Sequence, residues 1–312
     1  MPNLTVVIPA TNAPETLGRC LAAIHGAADP PEEVIVVRTP VNAGPARARN
    51  LGAQSAAHEV IVFVDADVEI AGDAFQRIRR AFDADGELVA VFGSYDDDPE
   101  RNGLVSDFRN LLHHHVHTSS AGPATTFWAG LGAIRRDAFA AIGGFDERLY
   151  PLSSIEDIEL GMRLQRTGRL ILLDPAIRGK HLKRWTLRTM VTTDLVRRGI
   201  PWVQLVLEHD ARSTALNLGW RHRASSVATV GAALTIVMRR GRLAAALGVG
   251  VVFLNADFYS LLWRRRGWRQ TAVGVPLHML HQLVGVAAVP AGIYRYARER
   301  RHRIADQEEA KS

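Results

Sequence analysis

Two pairs of acidic residues are the part of the sequence best suited to chemistry. Asp65 and Asp67 directly follow the apolar run Val60–Val64. In an extended segment both side chains point to the same side and repel each other unless a cation lies between them. Mg²⁺ or Mn²⁺ is usually held by one or two carboxylates together with substrate phosphates, so the pair predicts such a site. The alternative is a turn or a helix N-cap.

Glu156 and Asp157 form the second pair, ahead of Leu160 and Leu164 at helical spacing. A carboxylate at the start of a helix can accept the proton of an attacking hydroxyl group. The alternative is that both residues only complement the helix dipole. The sequence therefore offers one candidate cation site and one candidate general base.

Short apolar runs alternate with helical patterns through the first hundred residues. Strands are predicted at Leu4–Ile8, Val34–Val37, Val60–Val64 and Leu88–Phe92, and helices at Glu15–His25, Pro45–Ala57 and Asp73–Phe82. This alternation predicts an α/β fold with a mostly parallel sheet covered on both faces. Ligands of such sheets bind at the carboxyl ends of the strands, where Asp65 and Asp67 lie.

The composition, 47% apolar and 22% charged, excludes a disordered chain. Its charge is divided: residues 211–312 carry 16 Lys and Arg against 5 Asp and Glu, whereas residues 1–210 carry 22 against 27. The single cysteine, Cys20, excludes an intramolecular disulfide framework and is expected in the core. No secretory signal is visible at the start of the sequence.

Three apolar stretches interrupt the basic tail, at Ala224–Met238, Leu243–Trp263 and Thr271–Ile293. Only the second and third reach the roughly 20 residues that a membrane span needs. Arginine clusters flank each stretch, which favours contact with lipid headgroups. We therefore expect residues 211–312 to be a helical, membrane-anchoring region. A soluble basic helical domain is the alternative, and the separated arginines argue against nucleic-acid binding.

Several motifs occur in a characteristic order. They are Val6-Val7-Ile8-Pro9, Asn42-x-Gly44, Ala48-Arg49-Asn50-x-Gly52, Asp65-Ala66-Asp67, Gly143-Gly144-Phe145-Asp146, Glu156-Asp157 and His181-x-x-Arg184-Trp185. Together they resemble glycosyltransferase family 2, an inverting family with the GT-A fold, in its membrane-associated subgroup with C-terminal hydrophobic helices. The resemblance implies a GT-A domain over residues 1–210, with interfacial helices near 181–210, and a membrane-associated helical region after it.

The resemblance also implies a nucleotide-sugar donor, with UDP-sugars favoured, and Mg²⁺ or Mn²⁺. The metal would be bound by Asp67, with Asp65 close to the ribose and the metal's water shell and His181 as a further candidate ligand. The remaining residues that the resemblance places around the donor are Pro9, Ala10, Asn12, Glu15, Arg49 and Asn50. Arg49 would suit the diphosphate, since guanidinium binds phosphate oxygens well.

On the acceptor side, Asp157 would be the base, Glu156 would position either the acceptor or Asp157, and Arg184 would stabilise the leaving diphosphate. Trp128, Gly130 and Trp185 are candidate acceptor contacts, with simple core packing as the alternative for Trp128 and Gly130. The His181 motif resembles the Gln-x-x-Arg-Trp signature of processive members, and its histidine favours transfer of a single sugar. An interfacial amphipathic helix is the alternative for this segment.

One departure from the family pattern concerns the nucleotide base. The acidic segment that usually follows the second strand is missing, because Val34–Val37 continues into Arg38-Thr39-Pro40. Four histidines, His113, His114, His115 and His117, suggest zinc, but the sequence offers no nearby ligand to complete the site.

We therefore expect a transferase facing the cytoplasm that acts on a lipid-linked or cell-envelope glycan. A polyprenyl-phosphate sugar synthase and a non-catalytic membrane scaffold on a degenerate GT-A fold are the rivals.

Overall fold

The computed structural model describes residues 1–100, 103–209 and 219–309. The chain forms two compact units, Met1–Trp185 and Thr186–Ser312. The domain boundary that we predict after residue 210 falls on residues 210–218, outside the described residues, and stays a prediction.

The first unit is an α/β fold, as the alternating pattern predicts. Its strands are β1 (Leu4–Pro9), β2 (Glu33–Val37), β3 (Val60–Val64), β4 (Val68–Ile70), β5 (Leu88–Tyr95), β6 (Gly122–Pro123), β7 (Leu131–Arg135) and β8 (Leu170–His181). Its helices are α1 (Leu17–His25), α2 (Pro45–Ser55), α3 (Ala74–Ala84), α4 (Leu104–Ser119), α5 (Arg136–Ala141) and α6 (Glu156–Arg166).

The strands form one mixed sheet in the order β2-β1-β3-β7-β5-β8-β4, with β6 also paired to β8. The first three strands are parallel, and so are β5 and β8. Strand β7 runs antiparallel to both β3 and β5. The carboxyl end of β3 and the amino end of β7 therefore lie at the same edge of the sheet, which is where the acidic motif begins.

The apolar sequence of the central strands follows from their burial on both faces of the sheet. Every residue of β3 is buried, which fits a continuous apolar strand covered on both faces. Helices α1 and α3 direct Leu17, Cys20, Ile24 and Phe75 into the core cluster on one side. A second core cluster contains residues of α2, α5 and α6, including Ala46, Phe139 and Leu160.

The second unit is helical. Its elements are α7 (Leu187–Thr192), a π-helical stretch (Thr193–Gly199), α8 (Ile200–His209), α9 (Trp220–Val237), α10 (Gly241–Leu254) and α11 (Ala256–Glu309), which contains a non-helical residue at Gly267. Ala256–Arg301 is the one helix of the described residues long and apolar enough to cross a membrane. The stretch Leu243–Trp263 differs from the expected continuous span, since α10 ends at Leu254 before α11 begins.

Candidate active site

Three chain segments meet where β3 ends. The backbone N–H of Asp65 donates a hydrogen bond to the carbonyl oxygen of Gly130, just before β7, at 3.0 Å. The backbone N–H of Ala129 donates to Oδ2 of Asp157 at 3.2 Å. Residues 129 and 130 thus link the first acidic pair to the second, although the pairs are about ninety residues apart in sequence.

Arg49 contacts one carboxylate of each acidic pair. Its Nη2 lies 2.7 Å from Oδ1 of Asp65, and its Nη1 lies 2.9 Å from Oε1 of Glu156. Burial by itself lowers the pKa of Arg49, but Asp65, Glu156 and Asp157 outweigh it and raise the pKa, so the guanidinium stays charged. Glu156 also accepts a hydrogen bond from the backbone N–H of Ser154. Arg49 is therefore engaged with carboxylates, a contact that the sequence does not predict.

Asp157 is held at the start of α6 by backbone donors. Its Oδ2 accepts from Ala129, and its Oδ1 accepts from the N–H of Ile158 at 2.8 Å. One turn further along the helix, Gly161 allows the close approach that this geometry needs. A Cβ atom at Gly161 would lie 2.2 Å from the nitrogen of Phe127 and 2.4 Å from the carbonyl carbon of Thr126. Nothing in the local sequence pattern marks this glycine as a residue of the site.

Asp67 faces His181 at the far end of β8. Strand β4 pairs antiparallel with β8, placing Val68 opposite His181, and the N–H of Leu182 donates to the Asp67 carbonyl oxygen at 2.8 Å. His181 Nε2 then lies 3.5 Å from Asp67 Oδ2. Burial raises the pKa of Asp67, but His181 and the charge of Lys183 outweigh it and hold the pKa below its usual range.

Two further side chains orient the His181 ring. Its Nδ1 lies 2.8 Å from Oδ1 of buried Asn110 on α4. Because an amide oxygen only accepts, Nδ1–H donates to it and Nε2 faces Asp67. In the neutral imidazole Nε2 presents a lone pair, which is the form that ligates a metal. Tyr95, the last residue of β5, stacks on the ring at 4.3 Å between centroids and 11° between planes. Neither Asn110 nor Tyr95 belongs to a motif that predicts a place in the site.

This arrangement fits a divalent metal ion. A carboxylate and an imidazole nitrogen 3.5 Å apart can both ligate one ion at about 2.1 Å. The Nδ1–H to amide hydrogen bond matches the way ligating histidines are usually oriented. Within the described part of the chain, no group of three or more His, Cys, Asp and Glu residues is arranged to hold a metal. Asp65 is engaged by Arg49 at 2.7 Å, so Asp67 and His181 are the two candidate ligands at this position.

The residues predicted around the donor lie partly at this edge. Pro9 ends β1, which is parallel to β3, and Ala10 follows it with its N–H donating to Val37 at 2.9 Å. Asn12 and Glu15 are exposed in the segment before α1.

Asn50 is buried and holds a loop. Its side-chain oxygen accepts from the N–H of Phe145 at 2.9 Å, and its amide nitrogen donates to the carbonyl of the same residue at 2.9 Å. Gly144, at φ 70°, precedes this contact, and a Cβ there would lie 2.6 Å from the Asn50 oxygen. Asn50 thus holds the Gly143-Gly144-Phe145-Asp146 motif in place.

The three predicted acceptor residues have different surroundings. Trp128 is half-buried, and its ring crosses Tyr95 edge-on at 4.9 Å between centroids. Gly130 makes space for that indole, since a Cβ there would lie 2.4 Å from its Cζ2 atom. Trp185 is buried, with the cations of Lys183 and Arg109 over its ring at 4.6 and 5.1 Å.

The segment that follows β8, residues 182–186, is not helical. His181 ends β8, and α7 begins only at Leu187. Arg184, the predicted leaving-group residue, is exposed between them.

The histidine-rich segment His113–His117 lies on α4, and imidazole rings of this segment contact β5. His117 Nδ1 contacts the carbonyl oxygen of Gly93 at 2.9 Å, and His114 Nδ1 contacts that of Tyr95 at 2.8 Å. His113 packs against Tyr95 at 4.2 Å between centroids. These contacts place α4 against the end of β5. Cys20 is fully buried, as expected, and burial raises the pKa of its thiol to about 12.

Comparisons with known proteins support the fold of the first unit. Residues 23–143 match the model of glycosyl transferase family 2. The mannosyltransferase PcManGT from Pyrobaculum calidifontis, solved with GDP-Man and Mn²⁺, superposes with a TM-score of 0.56 at 15% identity, covering 94% of this chain and 88% of that one. No curated protein matches the chain.

Two other solved structures show weaker similarity. GalNAc-T7 with UDP, GalNAc and Mn²⁺ has a TM-score of 0.47 at 16% identity, covering 73% of this chain and 51% of that one. TarS 1-349 from S. aureus has a TM-score of 0.45 at 14% identity, covering 95% and 92%.

Residues 23–143 thus resemble a glycosyltransferase family 2 domain, the first unit has the GT-A fold, and the two findings support a transferase.

Proposed function

We propose that the protein is an inverting, metal-dependent transferase that moves a sugar from a nucleotide-diphosphate donor to a hydroxyl of a lipid-linked or cell-envelope glycan. The observation that carries this proposal is the link through residues 129 and 130 between the Asp65–Asp67 segment and Asp157. It brings a candidate metal site and a candidate base to one edge of the sheet. A donor bound at the first can then meet an acceptor activated at the second.

On the donor side, Asp67 and His181 are the residues proposed to hold Mg²⁺ or Mn²⁺. When bound, the ion neutralises charge on the diphosphate as it leaves. Asp65 is proposed to face the ribose. Pro9, Ala10, Asn12 and Glu15 are proposed to surround the nucleoside, because they follow the strand next to β3. UDP is the favoured nucleotide, and the missing acidic segment after β2 leaves the base contact to other residues.

On the acceptor side, Asp157 is proposed to take the proton of the attacking hydroxyl. The new bond forms between that oxygen and the anomeric carbon, while the bond from this carbon to the diphosphate oxygen breaks. The electron pair leaves with the nucleoside diphosphate, and the proton ends on Asp157. A single displacement of this kind inverts the anomeric centre. The two backbone donors that hold Asp157 support this role because they fix the direction of its carboxylate.

Arg49 is proposed as a positioning residue that acts through Asp65 and Glu156. Its two ion pairs, both under 3 Å, support this role better than direct contact with the diphosphate. Exposed Arg184 is proposed to meet the developing charge of the leaving group. Half-buried Trp128 is the better candidate for stacking on an acceptor sugar, since the Trp185 indole is already covered by cations.

The helical unit supports a membrane location. Its helix Ala256–Arg301 has the length and composition of a membrane span, and 28% of its apolar 18-residue stretch is buried. The arginine clusters of the tail suit anionic headgroups. We propose that the catalytic unit faces the cytoplasm, where nucleotide sugars are made.

The proposal is tested with purified protein in detergent, supplied with lipid extract and a panel of UDP-, GDP- and dTDP-sugars. Transfer from one donor, followed by NMR of the product, must show an anomeric configuration opposite to that of the donor. Transfer with retained configuration contradicts the inverting mechanism. No binding of any nucleotide sugar contradicts the whole proposal and favours a repurposed fold.

A further inference from the structure

Helices α9 and α10 leave large apolar side chains uncovered. Val251 is the one fully buried residue among the fourteen of α10, while Val249 and Phe253 are 69% and 78% exposed. On α9, Val227 and Val237 are 73% and 80% exposed. Two neighbouring helices with this many exposed apolar side chains are typical of an interaction site with another protein or with lipid.

The buried side of α9 is polar and its exposed side is apolar. This reversal of the pattern of a water-soluble helix favours lipid over a protein partner. Ser225 and Thr229 are fully buried, and the Thr229 hydroxyl donates to Oε1 of Gln282 on α11 at 2.6 Å. The amide nitrogens of Gln282 and Asn255 donate to the Ser225 oxygen at 2.8 and 2.7 Å. Helices packed in a bilayer typically bury small and polar residues and expose apolar ones. Water is absent there, so the polar groups must hydrogen-bond to one another.

The lengths of the two helices argue against a crossing. The 14 residues of α10 extend about 21 Å, clearly short of a hydrocarbon core of about 30 Å, and the 18 of α9 extend about 27 Å, at the lower limit for a span. The three-residue turn between them and the start of α10 carry three exposed arginines, Arg239, Arg240 and Arg242. A crossing carries these charges through the core, which is costly.

We propose that α9 and α10 form a hairpin embedded in one leaflet of an anionic membrane, with both ends and the turn on the same side. The exposed apolar side chains contact acyl chains, and the arginines of the turn contact anionic lipid phosphates. This inference rests on the membrane association proposed above and adds the depth and topology of one segment.

The topology is tested with a double variant, Arg221→Cys/Arg240→Cys, in sealed vesicles of equal parts phosphatidylcholine and phosphatidylglycerol. Residue 221 lies at the start of α9 and residue 240 at the turn. Cys20 is fully buried, so the wild-type chain in the same vesicles is the unlabelled control. After a membrane-impermeant maleimide, intact-protein mass spectrometry counts the labels on each molecule.

A same-side hairpin gives molecules with two labels or none, whatever the orientation of the protein in the vesicle. One label on every molecule places the turn on the opposite side and overturns the inference, while leaving membrane association and transferase activity standing. Failure of the protein to join the vesicles overturns both the inference and the membrane location, but not the enzyme, which is assayed separately in detergent.

Depth is tested with a fluorophore on Phe253→Cys, using lipids spin-labelled near the headgroup or near the chain end. Stronger quenching by the shallow label is expected. Stronger quenching by the deep label, or none, contradicts an embedded hairpin. The matched control carries the fluorophore on Asp257→Cys, whose side chain is 72% exposed beyond the end of α10.

Discussion

His181 Nε2 lies 3.5 Å from Asp67 Oδ2, although the two residues are 114 positions apart in the sequence of the first unit. The antiparallel pairing of β4 with β8 creates this contact by placing Val68 opposite His181. Nδ1–H donates to Asn110, so Nε2 faces the Asp67 carboxylate, and in the neutral imidazole it presents a lone pair to it. Two electron donors at this separation are stabilised by a cation between them, which gives the pair its proposed role.

Asn110→Leu is expected to weaken Mn²⁺ binding by about 10–100-fold, the usual effect of removing a partner of a metal-ligating histidine. Asn110→Asp retains an acceptor for Nδ1–H and is expected to bind Mn²⁺ nearly as the wild type does. Electron paramagnetic resonance of free Mn²⁺, without donor sugar, measures this directly. Leu111→Val on the same helix is the packing control, and equal affinity in all four proteins contradicts the role of Asn110.

Asp157→Asn is expected to lower turnover by about 10²–10⁴-fold, the range that a general base contributes, with donor KM nearly unchanged. The asparagine keeps the size of the side chain and one oxygen for the Ala129 N–H, but it loses the second acceptor, which faces the Ile158 N–H. Circular dichroism checks that the variant is folded. Steady-state kinetics with a hydroxyl acceptor measures both constants. Near-normal turnover points instead to an acceptor that is already ionised, as in a polyprenyl-phosphate sugar synthase.

Arg49→Met is expected to destabilise the protein by about 3–5 kcal/mol, because it leaves the buried Glu156 carboxylate without its partner. Adding Glu156→Gln removes that charge and restores part of the loss, which tests the pairing independently of either single change. Urea unfolding supplies the free energies. Additive losses in the double variant show that Arg49 and Glu156 do not act as a pair.

Gly161→Ala is expected to destabilise the protein by about 1–3 kcal/mol and to lower turnover, since the added methyl overlaps the backbone at residues 126 and 127. Gly18→Ala is the matched control because it also lies in a helix but has no atom within 4 Å of the added carbon. That change is expected to stabilise by about 0.5–1 kcal/mol. Equal effects at both positions rule out the close approach of α6 as the cause.

Local patterns were sufficient for much of the catalytic unit. The buried run Val60–Val64 predicts β3 because all its residues face packed layers, and the spacing after Glu156 predicts α6. By contrast, β8 was not predicted, because it contains Asp174, Pro175 and Lys180 and owes its strand structure to pairing with β4, β5 and β6.

The site required the tertiary structure for a different reason. Arg49 was predicted to bind phosphate from its residue type, but its partner Glu156 lies 107 positions away. Asn110 and Gly161 each act through one contact with a distant segment, and neither contact leaves a periodic signal in sequence. His181 was recognised only because its motif resembles a family signature.

The most direct test of the proposed activity is release of nucleoside diphosphate from the preferred donor, compared between wild type and Asp67→Ala, in Mn²⁺, Mg²⁺ and EDTA. We predict release that requires a divalent ion, is abolished by EDTA, and falls with Asp67→Ala while the protein remains folded by circular dichroism. Release that persists in EDTA, or that is unchanged in Asp67→Ala, contradicts a metal-dependent transfer centred on Asp67.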